Sequence, residues 1–146
     1  MCITSVRTKR VAVFLSPNNP QVVITGATSK QMSLHAARGI VVMLRRIFPF
    51  ERYRQKHFFI QNIVCNVKIP DLKGIDIERM YAEMPSLCTF QGSIFPGLVY
   101  RPKGCPVVVL IFRSSRVVVT GAKKYDHVVS GFSSIVDTIR PFFVYH

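Results

Sequence analysis

Residues 94–122 read IFPGLVYRPKGCPVVVLIFRSSRVVVTGA, and which way their apolar side chains face decides the fold. Successive residues of a strand point to opposite sides. Val108, Leu110 and Phe112 therefore share one face, and Val107, Val109 and Ile111 the other. Both faces are apolar. Arg113–Ser115 supply a polar turn, and Arg116–Thr120 return as a second strand with Val118 and Thr120 on one side and Val117 and Val119 on the other. Strands apolar on both sides ordinarily belong to a sheet covered on both faces. What covers this one depends on the rest of the chain.

A chain of 146 residues suffices for one ordinary core or for two small halves sharing a sheet, and one domain is expected. Cys2, Cys65, Cys88 and Cys105 never approach a CxxC spacing, and His35, His57, His127 and His146 are scattered. Neither a zinc site, nor a cofactor site, nor a disulfide framework is expected. The longest apolar runs, such as 107–112, are far below membrane-spanning length, so a soluble intracellular protein is expected. Charge is more informative. Twenty Lys and Arg stand against seven Asp and Glu, a formal net charge of +13. Up to Lys56 the single acid is Glu51. Such an excess points to a polyanionic partner and a steep salt dependence, without saying which sequence is read.

In chain order, 10–15 and 21–25 form a hairpin around the turn SPNNP at 16–20. From Ser29 to Ile47 the apolar residues Met32, Ala36, Ile40, Met43, Leu44 and Ile47 recur at helical spacing, with Ser29 as N-cap and Pro49 beyond the end. Residues 58–69 read as a long strand, 74–84 as a short helix stopped by Pro85, and 89–100 as a strand broken at Pro96 and Gly97. Residues 123–139 repeat the helical rhythm before Pro141 and a terminal strand.

VVITGAT at 22–28 recurs as VVVTGAK at 117–123, each copy preceded by an apolar strand and followed by a long amphipathic helix. With a turn two residues longer in the first copy, Leu15 falls on Phe112. Residues 58–97 then have no counterpart, so 1–55 reads as a partial first repeat and 56–146 as a complete second one. Two long helices and a short one can cover one side of such a duplicated sheet but not both. One apolar, basic-rimmed face is expected to stay open, and a bare surface of that kind marks a binding site.

IQNIV at 60–64, FPGLVYR at 95–101, VVLIF at 108–112 and VVVTGAK at 117–123, in this order and with the repeat, resemble the core domain of the TATA-box-binding protein family. The resemblance implies an α+β fold. It would be a saddle in which a pseudo-two-fold duplicated, curved antiparallel sheet of ten strands carries long helices on its convex face. Minor-groove binding and kinking by inserted apolar side chains are established for that family and are not read from these residues. By the same resemblance Phe95 and Phe112 match wedge residues, Asn62 matches the asparagine that reads minor-groove acceptors, and Thr120 matches the neighbouring threonine. Val64, Leu98 and Val118 match apolar groove contacts, and Arg101 and Arg116 match phosphate contacts. In the first copy Leu15 stands where the family has a wedge Phe, Val23 and Thr25 survive, and Gln21 replaces a basic residue. Gln91, Gly92 and Ser93 stand where the family has an acidic stretch that docks TFIIB-type factors.

The implied activity is a nuclear, non-enzymatic initiation factor that bends A·T-rich promoter DNA and nucleates the preinitiation complex. Its implied partners are TFIIA- and TFIIB-type factors and RNA polymerase, with no membrane and no small-molecule substrate. On the helices, Arg38, Arg45, Arg46, Lys123 and Lys124 are candidate protein contacts. The rival reading is a protein-interaction scaffold of the same family whose DNA-binding face is weakened. Catalysis finds no support, because the seven carboxylates form no evident acid/base pair and no Gly-rich phosphate loop or nucleophile elbow is present.

Overall fold

The structure, a computed structural model, describes the backbone of residues 2–4 and 12–15 and the whole of residues 21–145. The chain divides into two compact units, Met1–Phe59 and Ile60–His146.

In the first unit β1 (Cys2–Thr4), β2 (Ala12–Leu15) and β3 (Val22–Thr25) form an antiparallel sheet in that order, followed by α1 (Lys30–Ile47). The hairpin strands are as expected; their turn, 16–20, lies outside the described residues. Ser29 caps α1, its Oγ accepting from the Met32 N–H at 3.1 Å and so satisfying a donor that the first helical turn cannot. Arg45 and Arg46 sit in the last turn, where cations complement the helix dipole. Only Ile40 of this helix is buried.

The register of the first hairpin corrects the expected alignment of the two copies. Leu15 pairs with Val22, whereas the matching Val117 pairs with Ile111. Residues 16–21 separate the first pair and 112–116 the second, so the first connection is longer by one residue and not by two. Leu15 therefore takes the place of Ile111, not of Phe112. A one-residue shift exchanges the faces of a strand, so the wedge assignment of Leu15 fails on backbone pairing alone. The Leu15 side chain itself lies outside the described residues.

The second unit is built on a five-stranded antiparallel sheet of β4 (Ile63–Lys68), β6 (Cys88–Thr89), β7 (Leu98–Tyr100), β8 (Val108–Ile111) and β9 (Arg116–Ala122), ordered β4-β9-β8-β7-β6. β5 (Gly74–Ile75) pairs separately with β10 (Phe143–Val144). The long strand expected over 58–69 begins only at Ile63, and the helix expected over 74–84 is α2 (Ile77–Glu83), its first residues having gone to β5. Asp76 sets that start, because its Oδ1 accepts from the Arg79 N–H at 3.0 Å.

The helix α3 (Tyr125–Ile139) lies on one side of this sheet. Its Val128, Ile135 and Ile139 join Val107, Val109, Ile111, Val117, Val119 and Leu98 in one buried cluster, to which α2 adds Ile77 and Met80. Gly131 permits the approach: a Cβ there would lie 2.6 Å from Val107 Cγ2. The alternation expected in β8 and β9 is thus resolved, with Val109 and Ile111 of β8 and Val117 and Val119 of β9 on the side taken by the helices.

Candidate nucleic-acid interface

Among the described residues of the second unit, no helix packs on the other side of the five-stranded sheet. Val99, Val108, Leu110, Phe112, Val118 and Thr120 are half-buried there, Val64 is 60% exposed, and none of the apolar ones belongs to the core cluster or packs against it. Strand pairing arranges this face in rows. Phe112 lies opposite Arg116, which lies opposite Lys68. In the next row Val99, Leu110, Val118 and Asn66 follow one another across β7, β8, β9 and β4. A third row places Val108 opposite Thr120, beside Asn62.

Phe95 and Phe112 meet on this face with ring centroids 5.7 Å apart and planes at 66°, the edge-to-face geometry that aromatic quadrupoles favour. The Phe95 backbone is fixed from behind, its N–H donating to Gln91 O at 2.9 Å. Beneath the two rings sits Gly97, where a Cβ would come within 2.7 Å of Phe95 and 2.9 Å of Phe112. Gly97→Ala is therefore expected to drive the rings apart while changing unfolding stability little, and to weaken severalfold the DNA bending that the family resemblance implies, which bending and urea titrations of the variant will check.

Asn62 precedes β4 and is held by β9. The Gly121 N–H donates to Asn62 Oδ1 at 2.7 Å, and Asn62 Nδ2 donates to Thr120 Oγ1 at 3.1 Å. A backbone N–H can only meet an acceptor, so the amide orientation is set. Oδ1 is committed to the protein, accepting from the Gly121 N–H and lying 3.4 Å from the Thr120 hydroxyl, which donates to it, and one Nδ2 hydrogen is left to donate outward. Gly121 holds φ at +90°, a backbone conformation that side chains disfavour. A surface that donates and does not accept suits the minor-groove edge of A·T pairs, which offers acceptors only.

The structure brings together Asn62, Val64, Phe95, Phe112, Arg116, Val118 and Thr120 as expected, and Arg101 follows Val99 in alternation at the exposed end of β7. Leu98 does not belong with them. It is fully buried and pairs with Ile111 under the helices. The break at Pro96 and Gly97 resets the alternation, so Val99 and not Leu98 faces outward. In the first unit Val23 is 55% exposed and Thr25 is exposed, the two sharing one side of β3. Sequence reading put Val108 and Leu110 on the face of Phe112 without naming them as contacts, and it missed Val99, Asn66 and Lys68. For Val108 and Leu110 the signal was their alternation with Phe112.

Of the candidate partner contacts Arg38, Arg46, Lys123 and Lys124 are exposed, while Arg45 donates from Nε to Tyr53 O at 3.0 Å and is partly committed to its own chain. Burial pushes the Cys88 thiol above its ordinary pKa, which leaves it protonated and inert.

Residues 57–142 match the family described as transcription factor TFIID (or TATA-binding protein, TBP). TATA-box-binding protein 2 of Arabidopsis thaliana is 36% identical over 125 residues, covering 84% of this chain and 59% of that protein. The TATA-box-binding protein of Acetabularia peniculus is likewise 36% identical, over 84% of this chain and 62% of its own length. The chain thus spans about three-fifths of the length of these relatives. The solved structure of Methanococcus jannaschii TBP superimposes with a TM-score of 0.72 at 31% identity, covering 91% of this chain and 76% of the other. With a match over most of the second unit and relatives aligned through both, this chain belongs to the TATA-binding protein family.

Proposed function

We propose that this protein is a DNA-binding general transcription initiation factor that bends A·T-rich promoter duplex through the minor groove and nucleates the preinitiation complex in the nucleus. It acts by binding and not by catalysis. The observation that supports this best is the bare face of the second unit, where an edge-to-face Phe95–Phe112 pair stands beside the oriented Asn62 amide.

The energetics follow from that arrangement. Inserting an apolar wedge costs a few kcal/mol per unstacked base step, repaid by the protein surface that the bend brings into contact. Val99, Val108, Leu110 and Val118 supply apolar contact without hydrogen-bond demands. Asn62 supplies the donor, held in place by Thr120, and Arg101 and Arg116 supply phosphate contacts that carry no sequence information. In the first unit Val23 and Thr25 are proposed as contacts of the same kind. Outward-facing Arg38, Arg46, Lys123 and Lys124, with Arg45 at the end of α1, are the surfaces for TFIIA- and TFIIB-type factors and polymerase. Gln91, Gly92 and Ser93 are exposed and carry no acid, so the TFIIB-type contact differs there from the acidic one that the family resemblance implies.

Fluorescence-reported bending of an end-labelled A·T-rich duplex, beside a scrambled duplex at several salt concentrations, tests the proposal. A bend confined to the A·T-rich duplex is expected. Binding without bending on both duplexes would overturn it and favour the scaffold reading.

A further inference from the structure

One pair of residues on the bare face is energetically out of place in the free protein. Lys68 of β4 lies directly opposite Arg116 of β9, and both are exposed. Residues facing each other across an antiparallel pair have Cβ atoms roughly 4.5–5.5 Å apart, and like charges in that position are destabilising. No carboxylate relieves this one. Among the described residues the ion pairs are Arg79–Glu83, Arg113–Glu78 and Arg140–Asp137, none of which involves Lys68 or Arg116. Along the same row Arg116 is followed by Phe112, so two cations extend away from a wedge ring.

We propose that Lys68 and Arg116 form a two-pronged anion clamp that takes one phosphodiester group of the duplex next to the step opened by Phe112. Lys68 is the new member; Arg116 alone would be an ordinary phosphate contact. An anion between the two side chains converts their repulsion into two attractions, so the clamp is strained when empty and relaxed when filled. A wedge entering from one side needs a hold on the backbone it displaces. A phosphate gripped in the wedge's own row supplies that hold at a fixed distance from the ring. The proposal deepens the DNA-binding reading and rests on it for the source of the phosphate, but the anion chemistry stands separately.

The test uses the full chain with Lys68→Met, which keeps the apolar stem and removes the charge, and with Arg116→Met. Lys103→Met, in the exposed loop before β8, serves as control. In chloride buffer both clamp variants are expected to melt a few degrees above the unaltered protein, because a repulsion has been removed. When inorganic phosphate replaces chloride at equal ionic strength, the unaltered protein and the control are expected to gain melting temperature and the clamp variants to lose most of that gain. With A·T-rich duplex, Lys68→Met should lower the slope of log K against log salt by about one, as the loss of one phosphate contact requires.

If Lys68→Met behaves like Lys103→Met in both buffers, the clamp is refuted. A phosphate response that depends on Lys68 without a change in duplex salt slope would show an adventitious ion only, and would refute the assignment to DNA. Failure of the unaltered protein to bend any duplex would sink the DNA reading while the phosphate arm still reports on the clamp.

Discussion

Phe112→Ala is expected to abolish DNA bending while leaving most of the salt-dependent affinity in place. The ring is half-buried, touches Phe95 at a centroid distance of 5.7 Å, and lies outside the core cluster. Truncating it removes contact area on one side only. The stability cost should be about 1–2 kcal/mol, below the 3–5 kcal/mol of a fully enclosed phenylalanine. What disappears is one ring of the Phe95–Phe112 pair proposed to enter the base stack. The charges that attract the duplex, Arg101, Arg116 and Lys68, are untouched, so the slope of log K against log salt should stay as it was.

The loss of bend should be complete and not halved, because Phe95 loses the ring it rests against and the matching position of the first copy holds no aromatic. Its register gives Leu15 the place of Ile111, and the next residue in the chain is Ser16 rather than an aromatic. Energy transfer between labelled duplex ends, titrated at three salt concentrations, separates the two quantities. A variant that still bends the duplex fully would remove Phe112 from the mechanism. One that loses bend and salt slope together would show that the ring organises the charged rim as well.

Much of the second unit was legible because local physics and tertiary structure agree there. Strand alternation separated Val108, Leu110 and Phe112 from Val107, Val109 and Ile111 before any packing was known, and the helices then took one set. Ser29 announced the start of α1 because a hydroxyl followed by an amphipathic run is what an N-cap requires. Two kinds of information were not local. Turn length does not declare strand register, so 16–20 could be read as two residues longer than its counterpart when the ladder makes the connection longer by one. Hydrogen bonds across the sheet were also hidden. Gly121 lies 59 positions from Asn62, and nothing near either residue indicates that one fixes the amide of the other. The resemblance supplied Asn62 as a reader; the structure supplied the reason for its orientation.

Two leucines in adjacent strands give the sharpest separation of core from groove. Leu98 is fully enclosed opposite Ile111, whereas Leu110, opposite Val99, is half-buried on the bare face. Leu98→Ala is expected to cost 2–5 kcal/mol, the usual range for an enclosed leucine whose cavity closes only in part. That is a large share of the roughly 5–15 kcal/mol that holds a domain together, so the variant should unfold at much lower urea concentration. Whatever fraction remains folded should bend DNA as the unaltered protein does, because no atom of Leu98 faces the duplex. Leu110→Ala should do the reverse. It should lose about 1 kcal/mol of stability, since one side of its side chain already meets water, and several-fold in affinity for the A·T-rich duplex, since the apolar row from Val99 to Val118 is broken at its centre. Urea unfolding and bending titrations on the same preparations measure both. If Leu98→Ala unfolded normally and bound weakly, β7 would have to be turned over and the row reassigned with Leu98 in the place of Val99.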